Sequence, residues 1–112
     1  MKTKGDFLGE FEELILIAVA SLEEAYGVSV MKYIQKEADR SCNISAVHEG
    51  LKRLAKKGLV DSKMGDATNV RGGRRKRQFQ LTASGSQKLE DLIQMKLNLY
   101  RKVPNFNLKI SP

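Results

Sequence analysis

Apolar residues recur at helical spacing over four stretches of the chain, and alternate with polar ones over two short stretches between the third and the fourth. Phe7, Phe11, Leu14, Ala18 and Leu22 predict a first helix, with Asp6 as its candidate cap and Glu10, Glu12 and Glu13 near its positive end. Leu16, Ile17 and Val19 make the second half apolar nearly all round. Such a helix buries more than one side, either as the core helix of a monomer or as a helix that also meets a second subunit. Residues 23–27 read as a turn. Residues 29–39 read as a second helix with Val30, Tyr33, Ile34 and Ala38 on its apolar side, followed by an extended link over 41–44.

Ser45 is the candidate cap of a third helix that ends at Gly58, a residue suited to the left-handed position after a helix. Lys56 and Lys57 fall in its last turn, where cations are favoured. On a wheel of 100° per residue Val47, Leu51 and Leu54 cluster. The opposite side carries Ser45, Glu49, Lys52 and Lys56, with His48 and Arg53 on the flanks. Gly50 inside this helix costs roughly 1 kcal/mol relative to alanine, which predicts a close helix approach there.

Residues 59–64 and 75–81 read as the strands of a hairpin, with Phe79 and Leu81 inward and Gln78 and Gln80 outward. The connection over 65–74 is too long for a tight turn, and Gly72-Gly73 lets the backbone approach another molecule. Thr82 is the candidate cap of a last long helix with Leu89, Leu92, Ile93, Leu99, Tyr100 and Val103 on one stripe. Pro104 ends it, and residues 105–112 form a polar tail.

Composition narrows the reading. A chain of 112 residues, 41% apolar, is expected to form one domain and not a disordered segment. The longest apolar run, Leu14 to Ala20, falls far short of the ~20 residues of a membrane span. Its resemblance to a signal peptide fails on the four carboxylates that precede it. One cysteine, Cys42, excludes an internal disulfide and suits the reducing cytoplasm, where it is expected as a small buried hydrophobe. One histidine and one cysteine cannot by themselves build a zinc site. No nucleophile elbow, metalloprotease motif or phosphate-binding loop occurs, so neither catalysis nor a cofactor is expected.

The net charge of +7 is unevenly placed: residues 1–39 carry −4, 40–77 carry +8 and 78–112 carry +3. A basic middle on a less basic scaffold is the footprint of a polyanion-binding module. Arg74-Arg75-Lys76-Arg77 sets four like charges side by side, which a merely solvated face does not explain. Three helices, a hairpin with a Gly/Arg-rich loop and a further helix is the order of a winged helix-turn-helix, mainly α with a small hairpin. In that architecture the second helix of the pair enters the DNA major groove and the loop reaches phosphates or the minor groove. Residues 1–81 would form the DNA-binding unit and 82–104 a dimerisation helix.

The chain also resembles the PadR-like transcriptional regulators. The resemblance rests on Leu8-Gly9-Glu10-Phe11-Glu12-Glu13-Leu14-Ile15-Leu16, Ala25-Tyr26-Gly27 and the block Ala46-Val47-x-x-x-Leu51-x-Arg53-Leu54-x-x-Lys57-Gly58-Leu59-Val60. It continues through Arg71-Gly72-Gly73-Arg74-x-Lys76-Arg77 and Leu81-Thr82-x-x-Gly85. It implies a homodimeric repressor whose interface uses its end helices, here Phe7, Phe11, Leu14, Ile15, Leu89, Leu92, Ile93, Leu99, Tyr100 and Val103. It also implies a possible small apolar or aromatic effector between the subunits, for which Phe7, Phe11 or Tyr100 would supply the ring. His48 stands where the family usually has a tyrosine placed to touch DNA, and Ala83 replaces a frequent proline.

The expected partner is double-stranded DNA. Ser45 and Lys52 are expected near base edges, and Arg53 and Lys56 on phosphates. His48 is a phosphate donor, stronger when protonated. Glu49 either accepts from a cytosine amino group or pairs with Lys52 or Arg53. Arg71, Gly72, Gly73, Arg74, Arg75, Lys76 and Arg77 would hold the flanking backbone or enter a narrow minor groove, though Arg75 and Arg77 could instead pair across the hairpin. The competing reading is a winged-helix module that docks an acidic protein or RNA.

Overall fold

The computed structural model describes residues 7–65 and 76–104. Its elements are α1 (Glu10–Ser21), α2 (Gly27–Glu37), α3 (Ile44–Lys56), β1 (Val60–Met64), β2 (Arg77–Leu81) and α4 (Ala83–Arg101). This is the predicted order of elements. Ile15, Leu16, Ala18 and Val19 of α1 meet Val30 and Ile34 of α2, Val47, Leu51 and Leu54 of α3, and Ala25, Leu59 and Val60, all buried in one cluster. Burying each of the larger side chains contributes about 1.5–3 kcal/mol.

The helix starts differ from expectation. Asp6 lies outside the described residues, and α1 starts after Gly9, whose N–H donates to Glu12 at 2.8 Å. The acidic first turn thus supplies its own cap. Helix α2 begins at Gly27, and Ser29 sits inside its first turn, where its hydroxyl accepts from the Tyr26 N–H at 2.8 Å. Ala38 is exposed past the end of α2 and adds nothing to the core. Asn43, not Ser45, caps α3, accepting from the Ala46 N–H at 2.8 Å. Asn and Ser cap almost equally well, so the turn of the preceding link decides between them. Gly58 ends α3 with φ of 77°, the left-handed conformation foreseen for it.

β1 and β2 pair antiparallel, Val60 opposite Leu81, Ser62 opposite Phe79 and Met64 opposite Arg77. β1 starts one residue later than predicted because Leu59 is used elsewhere. Its N–H donates to the Leu54 carbonyl at 2.9 Å, and its carbonyl accepts from Thr82 at 3.0 Å. The Phe79 N–H donates to the Ala25 carbonyl at 2.8 Å, so the turn between α1 and α2 adds one bridge to the hairpin edge. Phe79 and Leu81 are half-buried and Gln80 is exposed, but Gln78 is half-buried too and not fully outward.

Two glycines permit close packing. Gly50 faces the Ile15 side chain, with Phe11 next to it. Ile15 is therefore completely buried against α3, which corrects its assignment to a subunit contact. In a helix apolar on every side, periodicity cannot separate the core face from a contact face. Gly85 lies on the backbone of Leu59, where an added Cβ would come within 2.9 Å of the carbonyl carbon. Thr82 locks the same corner, donating to the Gly58 carbonyl at 2.7 Å and accepting from the Gly85 N–H at 2.9 Å. The run Leu81-Thr82-x-x-Gly85 is thus a device for docking the start of α4 on the end of α3.

Each carboxylate in the first turn of α1 reaches a different neighbour. Glu10 pairs with Arg40, beyond α2; Glu12 pairs with Lys57, at the end of α3; and Glu13 pairs with Lys96 of α4 at 2.6 Å.

Candidate nucleic-acid interface

Helix α3 divides as its periodicity requires. Val47, Gly50, Leu51 and Leu54 are buried, whereas Ser45, His48, Glu49, Lys52, Arg53 and Lys56 are all exposed. At 100° per residue these six span an arc of about 140°. The core grips the other side of the same helix, so their backbone is fixed while their side chains face outward. Glu49 forms no ion pair with Lys52 or Arg53 among the described residues, so its intrahelical pairing is not realised.

Lys57 points away from this face. Its ammonium donates to both Glu12 oxygens at 3.0 and 3.1 Å and to the Phe7 carbonyl at 3.0 Å. Burial pushes the Glu12 carboxyl up, but the Gly9 N–H, the Lys57 ammonium and the Arg53 charge outweigh it and hold the group below the ordinary carboxylate range. Both charges are thereby satisfied inside the fold, and among the α3 cations Lys52, Arg53 and Lys56 are left to the surface.

The hairpin supplies further cations. Arg77 is exposed and donates to the Ser62 hydroxyl at 3.0 Å, so the cross-hairpin contact considered for it is present. Lys76 sits over the Tyr26 ring, 5.0 Å from its centroid. Arg71, Gly72, Gly73, Arg74 and Arg75 lie outside the described residues.

A cleft of about 590 Å³ opens between the start of α2, the outward face of α3 and the hairpin. Val28, Leu51, Ala55 and Phe79 floor it, and His48, Lys52, Lys76 and Arg77 edge it. No single stretch of sequence announces this cleft, because three separate elements make its walls. Gly27 helps to shape it: a Cβ there would meet the His48 ring, within 2.8 Å of Cδ2 and closer still to Nε2.

The surface along α4 and the start of α1 has a different character. Ile93, Met95, Leu99, Tyr100 and Val103 on or just past α4 are 45–55% exposed, and Phe7 is 61% exposed. Leu14, Leu89 and Leu92 are half-buried. The Phe11 ring is covered by the Arg40 guanidinium, 5.3 Å from its centroid. Met95 extends the stripe foreseen on α4. A second cleft, of about 550 Å³, lies between α1, β2 and α4 over Val19, Leu22, Phe79, Leu81, Leu89 and Ile93. Among the described residues no group of three acidic, histidine or cysteine side chains is placed to hold a metal ion. No described helix is long and apolar enough to cross a membrane.

The model of the PadR-like family of transcriptional regulators matches residues 15–91, most of the chain. The chain belongs to that family. Solved structures agree on the fold. A PadR-like transcription factor from Bacteroides fragilis superposes with a TM-score of 0.70 at 22% identity, covering 83% of this chain and 85% of that one. A PadR-like regulator from Bacillus cereus gives 0.69 at 22% identity, covering 85% and 88%. Bacillus subtilis PadR, solved in complex with operator DNA, gives 0.63 at 19% identity, covering 92% of this chain but 52% of that longer one. No curated protein matches the chain. In this PadR-like regulator α2 and α3 are the helix-turn-helix pair and the β1–β2 hairpin is the wing.

Proposed function

We propose that the chain is a sequence-specific DNA-binding transcriptional regulator that binds a pseudo-palindromic operator as a homodimer and represses from it. The observation that carries this is the face of α3. Six polar residues, three of them cations, are exposed on a helix whose other side is locked into the core, beside a wing that adds Lys76 and Arg77. Ser45, Glu49 and Lys52 address base edges, and His48, Arg53 and Lys56 hold phosphates; Arg71, Arg74 and Arg75, with Gly72 and Gly73, extend the wing along the backbone. That Bacillus subtilis PadR, which shares this fold, was solved in complex with operator DNA supports DNA as the partner. Residues 82–104 act as the dimerisation helix, with Leu89, Leu92, Ile93, Leu99, Tyr100 and Val103 meeting their copies, and Phe7, Phe11 and Leu14 at the rim. An apolar effector between subunits would meet Phe7 and Tyr100 more readily than Phe11, which Arg40 covers.

A two-fold dimer sets its reading helices about 34 Å apart. Shift assays against the chain's own upstream region, random duplex and single-stranded RNA test the reading. The expected result is a discrete complex with the upstream duplex that survives excess random duplex. Preference for the single-stranded RNA would instead support a winged-helix module that docks RNA.

A further inference from the structure

The cleft between α2, α3 and the wing holds more positive charge than the fold itself uses. Among the described residues no carboxylate stands within ion-pair distance of His48, Lys52, Lys76 or Arg77. In the first turn of α1, by contrast, Glu10, Glu12 and Glu13 each hold one cation. Val28, half exposed, and Phe79 put apolar surface beneath the charged rim, a combination that suits the apolar face of a sugar next to a phosphate.

We propose that this cleft seats one backbone phosphate of a bound duplex, and that His48 takes up a proton as the phosphate enters. The inference rests on the DNA-binding reading and names the groups that act at that site. The charged and titratable groups that line the cleft with His48 are Lys52 from its own helix, Lys76 and Arg77 from the wing, and Tyr26 at the start of α2, whose hydroxyl is held by the Glu24 carboxylate. Glu49, next along α3, forms no ion pair among the described residues that would draw these cations away. Burial and the Glu24 carboxylate push the Tyr26 hydroxyl up, so it carries no charge near neutral pH. A phosphate supplies the counter-charge that the cleft lacks. It favours the imidazolium, which donates from both ring nitrogens where the neutral ring donates from one. Gly27 allows the ring to lie against the start of α2, because any side chain there would displace it. A tyrosine at position 48 would fill the place with a hydroxyl that does not change charge in this range.

A phosphate contact carries no base information, so a labelled random-sequence duplex at low salt is a sufficient probe. Between about pH 8 and about pH 6 the wild-type affinity should rise about fivefold per bound subunit. His48→Gln, an exposed change that keeps a donor, should lose this rise. Calorimetry in two buffers of different ionisation enthalpy should show proton uptake on binding by the wild type and not by the variant. If both proteins bind the duplex with the same pH dependence, the His48 assignment fails while the DNA-binding reading stands. If neither binds at any pH, that reading fails and takes this one with it.

Discussion

Lys57, the residue that closes α3, donates to both carboxylate oxygens of Glu12 in the first turn of α1, at 3.0 and 3.1 Å. The pair joins the end of α3 to the start of the helix at the centre of the core. Glu12 is 8% exposed, so solvent does little to replace a lost partner. Lys57→Met would leave the carboxylate with the Gly9 N–H as its only hydrogen-bond donor, beside the Arg53 charge, and should cost about 2–3 kcal/mol, more than an exposed ion pair contributes. Urea unfolding of wild type and variant measures this. A cost below about 0.5 kcal/mol would mean that the pair behaves as a surface contact.

The same carboxylate gives stability a sign with pH. Its pKa in the fold is held below the ordinary value of 4.5, although burial alone would raise it. Between those two values the unfolded chain binds the proton that the folded one refuses, so stability rises with pH across that window. The contribution is fully present above 4.5 and is lost as pH falls through the folded value. Glu12→Gln should therefore shrink the gap between unfolding midpoints at about pH 7 and about pH 3 relative to wild type.

Gly50 and Gly85 make opposite predictions for one substitution. A methyl at Gly85 would drive into the Leu59 backbone, which the β1–α4 corner holds in place. Gly85→Ala should cost about 2–4 kcal/mol. At Gly50 the obstacle is the tip of the Ile15 side chain, which can turn aside, and alanine also improves helix propensity by about 1 kcal/mol. Gly50→Ala should cost less than half as much by thermal or urea unfolding. Equal costs would show that Ile15 is as rigid as backbone.

These contrasts mark what the amino-acid sequence discloses. The order of elements and the two faces of α3 were readable, because one-sided burial imposes a period on Val47, Leu51 and Leu54. The helix starts were not: Asn43 and Ser45 are both competent caps, and Glu12 does at α1 what Asp6 was expected to do. The core position of Ile15 is not legible because the second half of α1 is apolar nearly all round and has no period there to read. The Ala25–Phe79 bridge is a single backbone pair without a side-chain signature. The cleft at His48 is not legible in the sequence because its walls come from residues far apart in the chain.

The α4 stripe yields a prediction about assembly. Leu99 is 55% exposed and Tyr100 47%, on a helix whose only buried residue is Gly85. Leu99→Glu removes no core contact, so the subunit should keep its unfolding cooperativity. In a dimer built on this stripe it places two carboxylates in an apolar seam and should weaken association at least about 100-fold. Sedimentation over a concentration range reads the change. A wild type that sediments as a single subunit at micromolar concentration would remove α4 as the dimerisation helix.

On the proposed DNA-binding reading, the exposed face of α3 divides into residues that read bases and residues that hold the backbone. Lys56 lies nearest the middle of the outward arc, with Lys52 toward the His48 side and Arg53 at the opposite edge, and none of the three is paired with a carboxylate among the described residues. A dimer that neutralises about eight phosphates should lose affinity with a log–log salt slope near −7. Arg53→Ala and Lys56→Ala should each weaken every duplex alike and flatten that slope by about two for a dimer, one phosphate per subunit. Lys52→Ala should cost about 1–3 kcal/mol on a preferred duplex and less on a random one, relaxing sequence preference. The duplex is obtained by repeated selection from a random pool with the wild-type protein, and anisotropy titrations at several salt concentrations supply both numbers. If Lys52→Ala keeps the full preference, base reading falls to Ser45 and Glu49. A wild-type slope of magnitude below about three would leave too few phosphate contacts for a dimer gripping two half-sites.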